Sequence, residues 1–312
     1  MRVGVVGLGD IAAKAWLPVL LAQDGVEPVL VTRDGTRLAE LQARHRVGEG
    51  HRTVEQALER GLDAAFVHTA TVAHREVVTA LLRAGVPTCV DKPLDTSGEG
   101  AAELVRLADE RRTSLLVGFN RRWAPAYRDV AGWADRDVVL LQKHRAGQPD
   151  DVRRVVFDDF VHVVDTLRFL LDGEDGSGRL DGPDAVQVTA RGDAGGLRRV
   201  ALQLTRGQRI AVGVMHRTTG ATSEVLEVVA DGRSRRVVDL AEVTDAVGGA
   251  STTTRRDEWV SVGVQRGFAA LVEHFLASVR ADHVLDAADA LATHRLCEQV
   301  VGEVEALLRR GS

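Results

Sequence analysis

The sequence predicts an α/β protein: an N-terminal doubly wound parallel sheet, followed by an α+β domain with a mainly antiparallel, open sheet. Over the first 120 residues, continuous apolar runs alternate with amphipathic helices, which is typical of a parallel sheet covered on both faces. Closely spaced runs of alternating apolar and polar residues come next and are typical of an antiparallel sheet. A chain of 312 residues is long enough for two cores. We therefore predict domains at 1–120 and 121–312.

The first domain is predicted as a series of strand–helix units. Because such strands run parallel, their carboxyl ends lie at one edge of the sheet, where doubly wound sheets bind their ligands. The predicted strands are 2–6, 28–32, 64–68, 87–90 and 114–118, and the predicted helices are about 12–23, 37–44, 73–84 and 98–112.

The second domain is predicted to combine helices with an antiparallel sheet. A Gly/Asp-rich loop is expected at 172–183, and the polar, Gly/Thr-rich stretch 245–257 is expected to be a mobile loop. We expect the active site in the cleft between the two domains. The predicted strands are 138–144, 185–191, 198–205, 209–216, 223–230 and 234–240, and the predicted helices are 159–171, 265–280 and 286–309.

Composition excludes several classes of protein. The chain is 45% apolar and 27% charged with a formal net charge of -5, and it has no basic run with interleaved aromatics, so we expect no nucleic-acid partner. No apolar segment is long enough to span a membrane or to form a signal peptide. Cys89 and Cys297 have neither metal-site nor disulfide spacing, which suits a reducing compartment. We expect a cytoplasmic protein without a membrane partner.

A glycine-rich turn directly after the first strand predicts a dinucleotide site. Gly7 permits a tight turn, Gly9 lets the backbone approach a pyrophosphate, and Ala12 stands where the fingerprint accepts a small residue for helix–strand packing. Asp10 and Ile11 lie between them at the start of the helix, whose free N–H groups suit phosphates. An ordinary strand–turn–helix is the alternative, and the following strand–helix units favour the Rossmann interpretation.

The end of the second strand bears on which dinucleotide is bound. An NAD site has an acidic residue there for the ribose 2′-hydroxyl, whereas this chain has Thr32, Arg33 and Asp34. Arg33 in that position favours NADP, because a guanidinium pairs with the 2′-phosphate. If Asp34 reaches the ribose instead, the cofactor is NAD. We predict NADP, with NAD as the alternative.

Lys92 is conspicuous because only three of the forty cationic side chains are lysines. Unlike arginine, a lysine can be tuned by burial and neighbouring charges and can take part in proton chemistry. It follows the strand at 87–90, at the ligand-binding edge of the sheet, and precedes Pro93, which can take a cis bond.

Asp158 and His162 form the second half of a predicted catalytic set. In a helix starting near residue 158 they share one face, and an imidazole titrates near neutrality. Reduction of a carbonyl needs a hydride and a proton from a positioned acid, with the reverse in oxidation. His162 can be the acid/base, Asp158 can orient it and Lys92 can bind the reacting oxygen. A metal pair is the alternative, but no third ligand has suitable spacing, so no metal is expected.

These residues resemble the Gfo/Idh/MocA family of NAD(P)-dependent oxidoreductases, and most closely its MviM-like branch, whose members are described as virulence factors. The motifs shared with the family are Gly7-Leu-Gly-Asp-Ile-Ala12 with Leu17-Pro18 after it, Asp91-Lys92-Pro93, Gly118-Phe-Asn-Arg-Arg122, and Asp158-x-x-x-His162 followed by Asp165. The motifs shared with the branch are Lys143-His144-Arg145, Met215-His216-Arg217 and Gln265-Arg266-Gly267-Phe268.

The resemblance implies that Lys92, Asp158 and His162 are the catalytic residues. Asp91 stands where the family has Glu, which weakens any role for that carboxylate. The resemblance also implies a small-molecule, carbohydrate-like substrate and a homodimer or homotetramer formed through the open face of the second sheet. A non-catalytic NAD(P)-binding regulatory or sensor protein is the alternative function. The predicted cofactor-binding residues are Gly7, Gly9, Asp10, Ile11, Ala12, Thr32, Arg33, Thr69, His74, Asp91 and Lys92.

Candidate substrate residues come from the second domain. Asn120 and Arg122, with Arg121 between them, line the cleft or form a salt-bridged hinge. His144 and His216 lie on predicted strands, where they face substrate or solvent. Asp165 is expected to have a structural role.

Overall fold

A computed structural model describes residues 1–172 and 182–311. Most of the predicted loop at 172–183 therefore lies outside the described residues. The chain forms two compact units, Met1–Gly118 with Phe268–Leu291, and Phe119–Gly267 with the residues from Ala292 onwards. The first unit thus includes a C-terminal segment that the predicted division at residue 120 gives to the second domain.

The described residues form fourteen strands and eleven α-helices, each numbered in chain order. The strands are β1 Arg2–Val6, β2 Glu27–Val31, β3 Glu49–His51, β4 Ala64–Val67, β5 Thr88–Val90, β6 Leu115–Val117, β7 Arg136–His144, β8 Ala185–Asp193, β9 Gly196–Arg206, β10 Arg209–His216, β11 Ser223–Ala230, β12 Arg233–Val238, β13 Glu242–Val247 and β14 Ala250–Arg255. The helices are α1 Leu17–Leu21, α2 Gly35–His45, α3 Val54–Glu59, α4 His74–Arg83, α5 Gly98–Arg111, α6 Pro125–Ala131, α7 Val152–Val155, α8 Val161–Asp172, α9 Val262–Gln265, α10 Phe268–Arg280 and α11 Ala288–Gly311. Short π-helical turns at Ala12–Trp16 and Val156–Phe160 lead into α1 and α8, and 3-10 turns at Thr71–Ala73 and Asn120–Trp123 precede α4 and α6.

The sheet of the first unit is parallel throughout, with strand order β3-β2-β1-β4-β5-β6. This order places a topological switch point between β1 and β4, where doubly wound sheets bind dinucleotides. The predicted Rossmann sheet is confirmed. It brings the loops after β1, β2, β4 and β5 to one edge.

One strand and one helix of this unit were absent from the sequence prediction. Strand β3 has three half-buried residues, Glu49–His51, and pairs only with β2 at the edge of the sheet, so it needs no apolar run. Helix α3 has six residues and is capped by Thr53, whose hydroxyl accepts from the N–H of Gln56. Short, polar edge elements carry little hydrophobic periodicity, and for that reason the pattern missed them.

Aromatic packing joins α10 to the first unit. Phe275 meets Phe66 of β4 edge to face with ring centroids 5.1 Å apart, and Phe268 meets Trp16 at 4.9 Å. Phe66, Trp16 and Phe275 are fully buried, and each such side chain contributes about 1.5–3 kcal/mol through burial. These contacts explain why a segment remote in sequence completes the first core.

The sheet of the second unit is mainly antiparallel, with order β14-β13-β12-β11-β7-β10-β9-β8, and β7 and β10 are parallel neighbours. Helix α8 packs on one face. Gly213 of β10 allows this close approach, because a Cβ there would lie 2.3 Å from Val163 and 2.8 Å from Leu167. The predicted mainly antiparallel second sheet is confirmed.

The predicted mobile loop at 245–257 is wrong. Residues of this stretch form the hairpin β13–β14, in which Val247 pairs with Ala250. Gly248 and Gly249 form its two-residue turn with φ of 57° and 85°, the left-handed conformations that favour glycine. The Gly-Gly pair before a Thr-rich run was a hairpin signal, because β-branched threonine suits strands.

In the described part of the chain, no helix combines the length and apolar character needed to cross a membrane.

Candidate functional site

The glycine loop after β1 packs directly on the loop after β4. Gly7 has a φ of +88°, and a Cβ on it would lie 2.5 Å from the nitrogen of Thr69 and 2.7 Å from the carbonyl carbon of His68. Both neighbours are backbone and cannot move aside. The N–H of Gly7 donates to the carbonyl of Val31 at 2.8 Å. Glycine at position 7 is therefore required by the fold itself.

Gly9 has a different environment. No atom lies within 4 Å of a Cβ built on it, and its carbonyl accepts from the N–H of Ala13 at 3.0 Å at the start of the helix. Asp10 and Ile11 are exposed, and Asp10 pairs with Lys14 on the surface. Open space over a glycine backbone at the start of a helix fits the pyrophosphate of a dinucleotide.

A pocket of about 560 Å³ opens at this edge of the sheet. Its walls come from the loops after β1, β2, β3 and β4, so the topology of the sheet creates it. Its lining residues include Gly7, Gly9, Thr32, Arg33, Arg52 and Thr69.

At the end of β2, the side chains of Arg33 and Asp34 have different surroundings. One carboxylate oxygen of Asp34 accepts the backbone N–H groups of Thr36 and Arg37 at 3.0 Å each, which makes Asp34 the N-cap of α2. Arg33 is exposed and lines the pocket. The structure adds Arg52, which sequence reasoning missed because β3 was not predicted.

The turn that carries Lys92 is braced by His74. The Lys92–Pro93 peptide bond is cis. The carboxylate of Asp91 accepts the backbone N–H of Lys92 at 2.8 Å. The ring nitrogens of His74 lie 2.8 Å from the carbonyl oxygen of Pro93 and 3.0 Å from that of Thr69. Because His74 is buried and joins the loops after β4 and β5, its observed contacts position the Lys92 turn.

His68 lies beneath this turn and was also missed by sequence reasoning. Its side chain is fully buried, and burial together with the charge of His74 lowers its pKa to about 3. Its Nδ1 is 3.9 Å from a carboxylate oxygen of Asp91, a contact with a neutral ring and no ion pair. Burial raises the pKa of Asp91. Trp16 packs on His68 with ring centroids 4.7 Å apart. The neutral ring of His68 and the indole of Trp16 therefore pack together close to the carboxylate of Asp91.

In the second unit, Asp158 and His162 belong to one continuous helical segment. The predicted start near residue 158 is wrong, because α7 begins at Val152 and a π-helical turn, Val156–Phe160, joins it to α8. Asp158 is exposed and 3.7 Å from the Nε of Arg154, and His162 is half-buried in the first turn of α8. A π-helical turn departs from α-helical spacing and recurs at functional sites.

Asp159, beside Asp158, is a largely buried carboxylate that sequence reasoning missed. It accepts two hydrogen bonds of 2.7 Å from Arg145 and one of 2.5 Å from Arg217, and Lys143 is 3.5 Å away. Burial alone would raise the pKa of Asp159, but the hydrogen bond from Arg145 and the surrounding cations hold it well below its ordinary value. Asp159 therefore anchors the π-helical turn to the strands.

Glu224 of β11 is the second carboxylate in the same group of charges and is buried. Arg121 donates to it at 2.7 and 2.6 Å, Lys143 at 3.1 Å and the hydroxyl of Tyr127 at 3.2 Å. Burial, and next the charge of Arg121, lowers the pKa of Lys143 to about 8. Arg121, predicted to line the cleft or form a hinge, is buried in this network. We call Arg121, Lys143, Arg145, Asp159, Arg217 and Glu224 the charged network.

Asn120 and Arg122 make structural contacts within the second unit. The amide of Asn120 donates to the carbonyl of Arg266 at 2.8 Å. The guanidinium of Arg122 binds the carboxylate of Asp165, with one bond of 2.9 Å, and Thr293 donates to the same carboxylate at 3.1 Å. Their proposed contact with substrate stays a prediction.

His144 and His216 lie on the sheet face away from α8. Along β7 and β10 they alternate with Lys143 and Met215, which are buried on the face towards α8. The Nδ1 of His144 accepts the backbone N–H of His216 at 3.1 Å. The structure therefore places His144 beside His216. Among the described residues, no group of three or more His, Cys, Asp or Glu side chains could hold a metal ion.

Residues 1–119 match the oxidoreductase family with an NAD-binding Rossmann fold, Gfo/Idh/MocA, and residues 125–246 match the YceM-like C-terminal domain. The chain is 35% identical over 307 residues to the protein YceM of Salmonella typhimurium, covering 96% of each chain. It is 34% identical over 205 residues to the myo-inositol dehydrogenase Hyg17 of Streptomyces leeuwenhoekii, covering 62% of this chain and 60% of that one.

Solved structures of Gfo/Idh/MocA proteins also resemble this chain. A Gfo/Idh/MocA family oxidoreductase from Vibrio cholerae superposes with a TM-score of 0.90 at 29% identity, covering 98% of each chain. The dehydrogenase MviM from Clostridium difficile superposes with a TM-score of 0.89 at 26% identity, covering 97% of this chain and 99% of that one.

Proposed function

The chain belongs to the Gfo/Idh/MocA family of NAD-binding oxidoreductases, and on this premise we propose that it catalyses hydride transfer between a nicotinamide cofactor, NADP in preference to NAD, and a hydroxyl or carbonyl carbon of a sugar-like or cyclitol substrate. The observation that carries the proposal is the pocket at the carboxyl edge of the six-stranded sheet. Gly7 and Gly9 line it, and the braced Lys92 turn belongs to the same edge.

The preference for NADP is supported by the residues after β2. Asp34, the only carboxylate there that could take the ribose hydroxyl in the NAD alternative, already caps α2 with its side chain. Arg33, which lines the pocket, supplies a guanidinium instead of a carboxylate. A guanidinium pairs well with a phosphate and gains less from a hydroxyl.

Three side chains are proposed to carry the proton chemistry. When bound, the nicotinamide supplies or accepts the hydride. In the oxidative direction, His162 removes the proton from the substrate hydroxyl, and in the reductive direction it returns one. The ammonium of Lys92 donates a hydrogen bond to the same oxygen and stabilises the negative charge that develops on it. Asp158 orients His162.

The substrate class is supported by a relative whose name states its substrate, the myo-inositol dehydrogenase of Streptomyces leeuwenhoekii. Neighbouring hydroxyls are what distinguish cyclitols and sugars from simple alcohols. We expect the enzyme to act on one carbon of such a polyol, in the cytoplasm, where its two buried cysteines stay free thiols.

A homodimer or homotetramer is proposed through the sheet face opposite α8. Strands β7, β10 and β11 present Leu140, Val212 and Val225 there, and all three are only partly buried. Light scattering after size-exclusion chromatography measures the mass directly. A monomer at micromolar concentration would contradict this part of the proposal.

The function is tested by following the near-ultraviolet absorbance of the reduced nicotinamide with a panel of cyclitols, sugars and sugar acids, offered with NADP and with NAD. We expect turnover of at least one polyol, and a fall in kcat of about 10²- to 10⁴-fold in His162→Ala with unchanged affinity for NADP. His283→Ala, at an exposed histidine, is the matched control. If the protein binds NADP but turns over no member of the panel, the proposal fails.

A further inference from the structure

Arg52 stands at the carboxyl end of the edge strand β3, beside the loop that follows β2. His51 pairs with Val31 in the parallel ladder, so Arg52 comes level with Thr32 and Arg33. The backbone N–H of Thr32 donates to the carbonyl of His51 at 3.1 Å, which holds the two loops together. Arg52 and Arg33 line the same pocket as the glycine loop.

The guanidinium of Arg52 is held over the start of α2. Its Nη2 donates a hydrogen bond to the backbone carbonyl of Arg33. Gly35, the first residue of α2, leaves room for it, because a Cβ at that position would lie 2.4 Å from Nη1 and 3.1 Å from Cζ of Arg52. Glycine is a poor helix former. At position 35 it leaves space for the guanidinium of Arg52.

The two arginines differ from their neighbours in charge pairing. Arg37, on the same helix, pairs with Glu40 at 2.8 Å, whereas within the described residues neither Arg33 nor Arg52 forms an ion pair with a carboxylate. The pocket also contains carboxylates. Asp34 is engaged in capping α2, and Glu55 and Glu76 are exposed and form no ion pair with Arg52. Two arginines that line one pocket are therefore available to an anion.

We infer that Arg52 and Arg33 together form a binding site for a phosphate monoester, the 2′-phosphate of NADP, and that Arg52 is a specificity-determining residue. The inference rests on the proposed use of a nicotinamide dinucleotide. A phosphate monoester carries a charge of about −1.5 to −2 near neutrality, and two guanidiniums with planar sets of donors match both its charge and its oxygens. NAD has a hydroxyl at this position and gains almost nothing from the second cation.

Isothermal titration with adenosine 2′,5′-bisphosphate, adenosine 5′-monophosphate, NADP and NAD tests the site without any turnover. For Arg52→Ala we expect affinity for the two 2′-phosphorylated ligands to fall roughly 10- to 100-fold, the effect of losing charged hydrogen bonds, while affinity for the other two stays unchanged. Gly35→Ala keeps the charge of Arg52 but displaces its guanidinium, so it should weaken the same two ligands by less. Arg60→Ala, at an exposed arginine outside the pocket, removes the same charge and should change nothing.

The outcomes separate this inference from the proposed function. A 2′-phosphate preference that depends on Arg52 supports the site even if no polyol is turned over. The inference is overturned if Arg52→Ala weakens all four ligands equally, if it weakens none of them, or if the wild-type protein binds the phosphorylated and unphosphorylated ligands alike.

Discussion

The ligand edge of the six-stranded sheet and the charged network of the eight-stranded sheet are built from different groups. At the ligand edge, Gly7 meets the backbone of Thr69, and His74 contacts two carbonyl oxygens, so shape and backbone hydrogen bonds define the arrangement. In the charged network, four cations surround the carboxylates of Asp159 and Glu224. The first region should be sensitive to an added methyl group, and the second to a lost charge or to acid.

The largest effect on stability is expected from Glu224→Ala. This change leaves Arg121 and Lys143 buried without their shared carboxylate, and breaking a buried ion pair costs about 3–5 kcal/mol of unfolding free energy. Urea unfolding measures it. Glu258→Ala, at an exposed glutamate outside the sheet, is the matched control and should change stability by less than about 0.5 kcal/mol. Equal effects of the two changes would contradict the account.

The second-largest effect on stability is expected from acid, which protonates the carboxylates of the charged network. The folded pKa values of Asp159 and Glu224 lie well below their ordinary 3.8 and 4.5, so the unfolded chain binds more protons in that range. The stability they contribute is therefore complete above about pH 4.5 and is lost progressively as the pH falls from there towards their lowered values. Urea midpoints measured from about pH 6 to about pH 3 should fall less steeply in Glu224→Gln than in the wild type. Parallel curves for the two proteins would contradict the network's role.

At the ligand edge, Gly7→Ala is expected to cost about 1–3 kcal/mol, because a Cβ would both strain a φ of +88° and press on the backbone of Thr69. Thermal unfolding measures the loss. The affinity for NADP should fall as well, since the loop would have to move. A variant of wild-type stability would show that the loop is not packed as described.

Gly9→Ala should have the smallest effect on stability, within about 0.5 kcal/mol, because the added Cβ meets no atom of the protein. Its affinity for NADP should nevertheless fall, because the methyl group occupies the space that a pyrophosphate needs. Calorimetric titration beside thermal unfolding checks both statements. Unchanged affinity would remove Gly9 from the cofactor site.

The ligand edge could be predicted because each of its parts is local in sequence. Val6, Gly7 and Gly9 are consecutive or nearly so, and Lys92 follows its strand directly, so an apolar run followed by a turn fixes their place. Arg52 could not be found in the same way. Its strand, Glu49–His51, is too short and polar to give a periodic signal.

The charged network could not be read from local spacing, because its partners are far apart: Arg121 and Glu224 are separated by 103 residues, and Asp159 and Arg217 by 58. A weaker signal was present in the strand alternation. Glu224 stands in phase with the buried Leu226 on β11, as Lys143 does with Leu141 on β7, and a charge on an apolar face indicates a buried partner.

The most direct test of the proposed catalytic set is Lys92→Met, which keeps an unbranched side chain of similar length and removes its charge. We expect wild-type protein to turn over a cyclitol or sugar with NADP, and the variant to retain its affinity for NADP while kcat falls about 10²- to 10⁴-fold. Steady-state assays give kcat, and a binding titration gives the affinity for NADP. A variant that keeps wild-type kcat would contradict the role of Lys92 on the reacting oxygen.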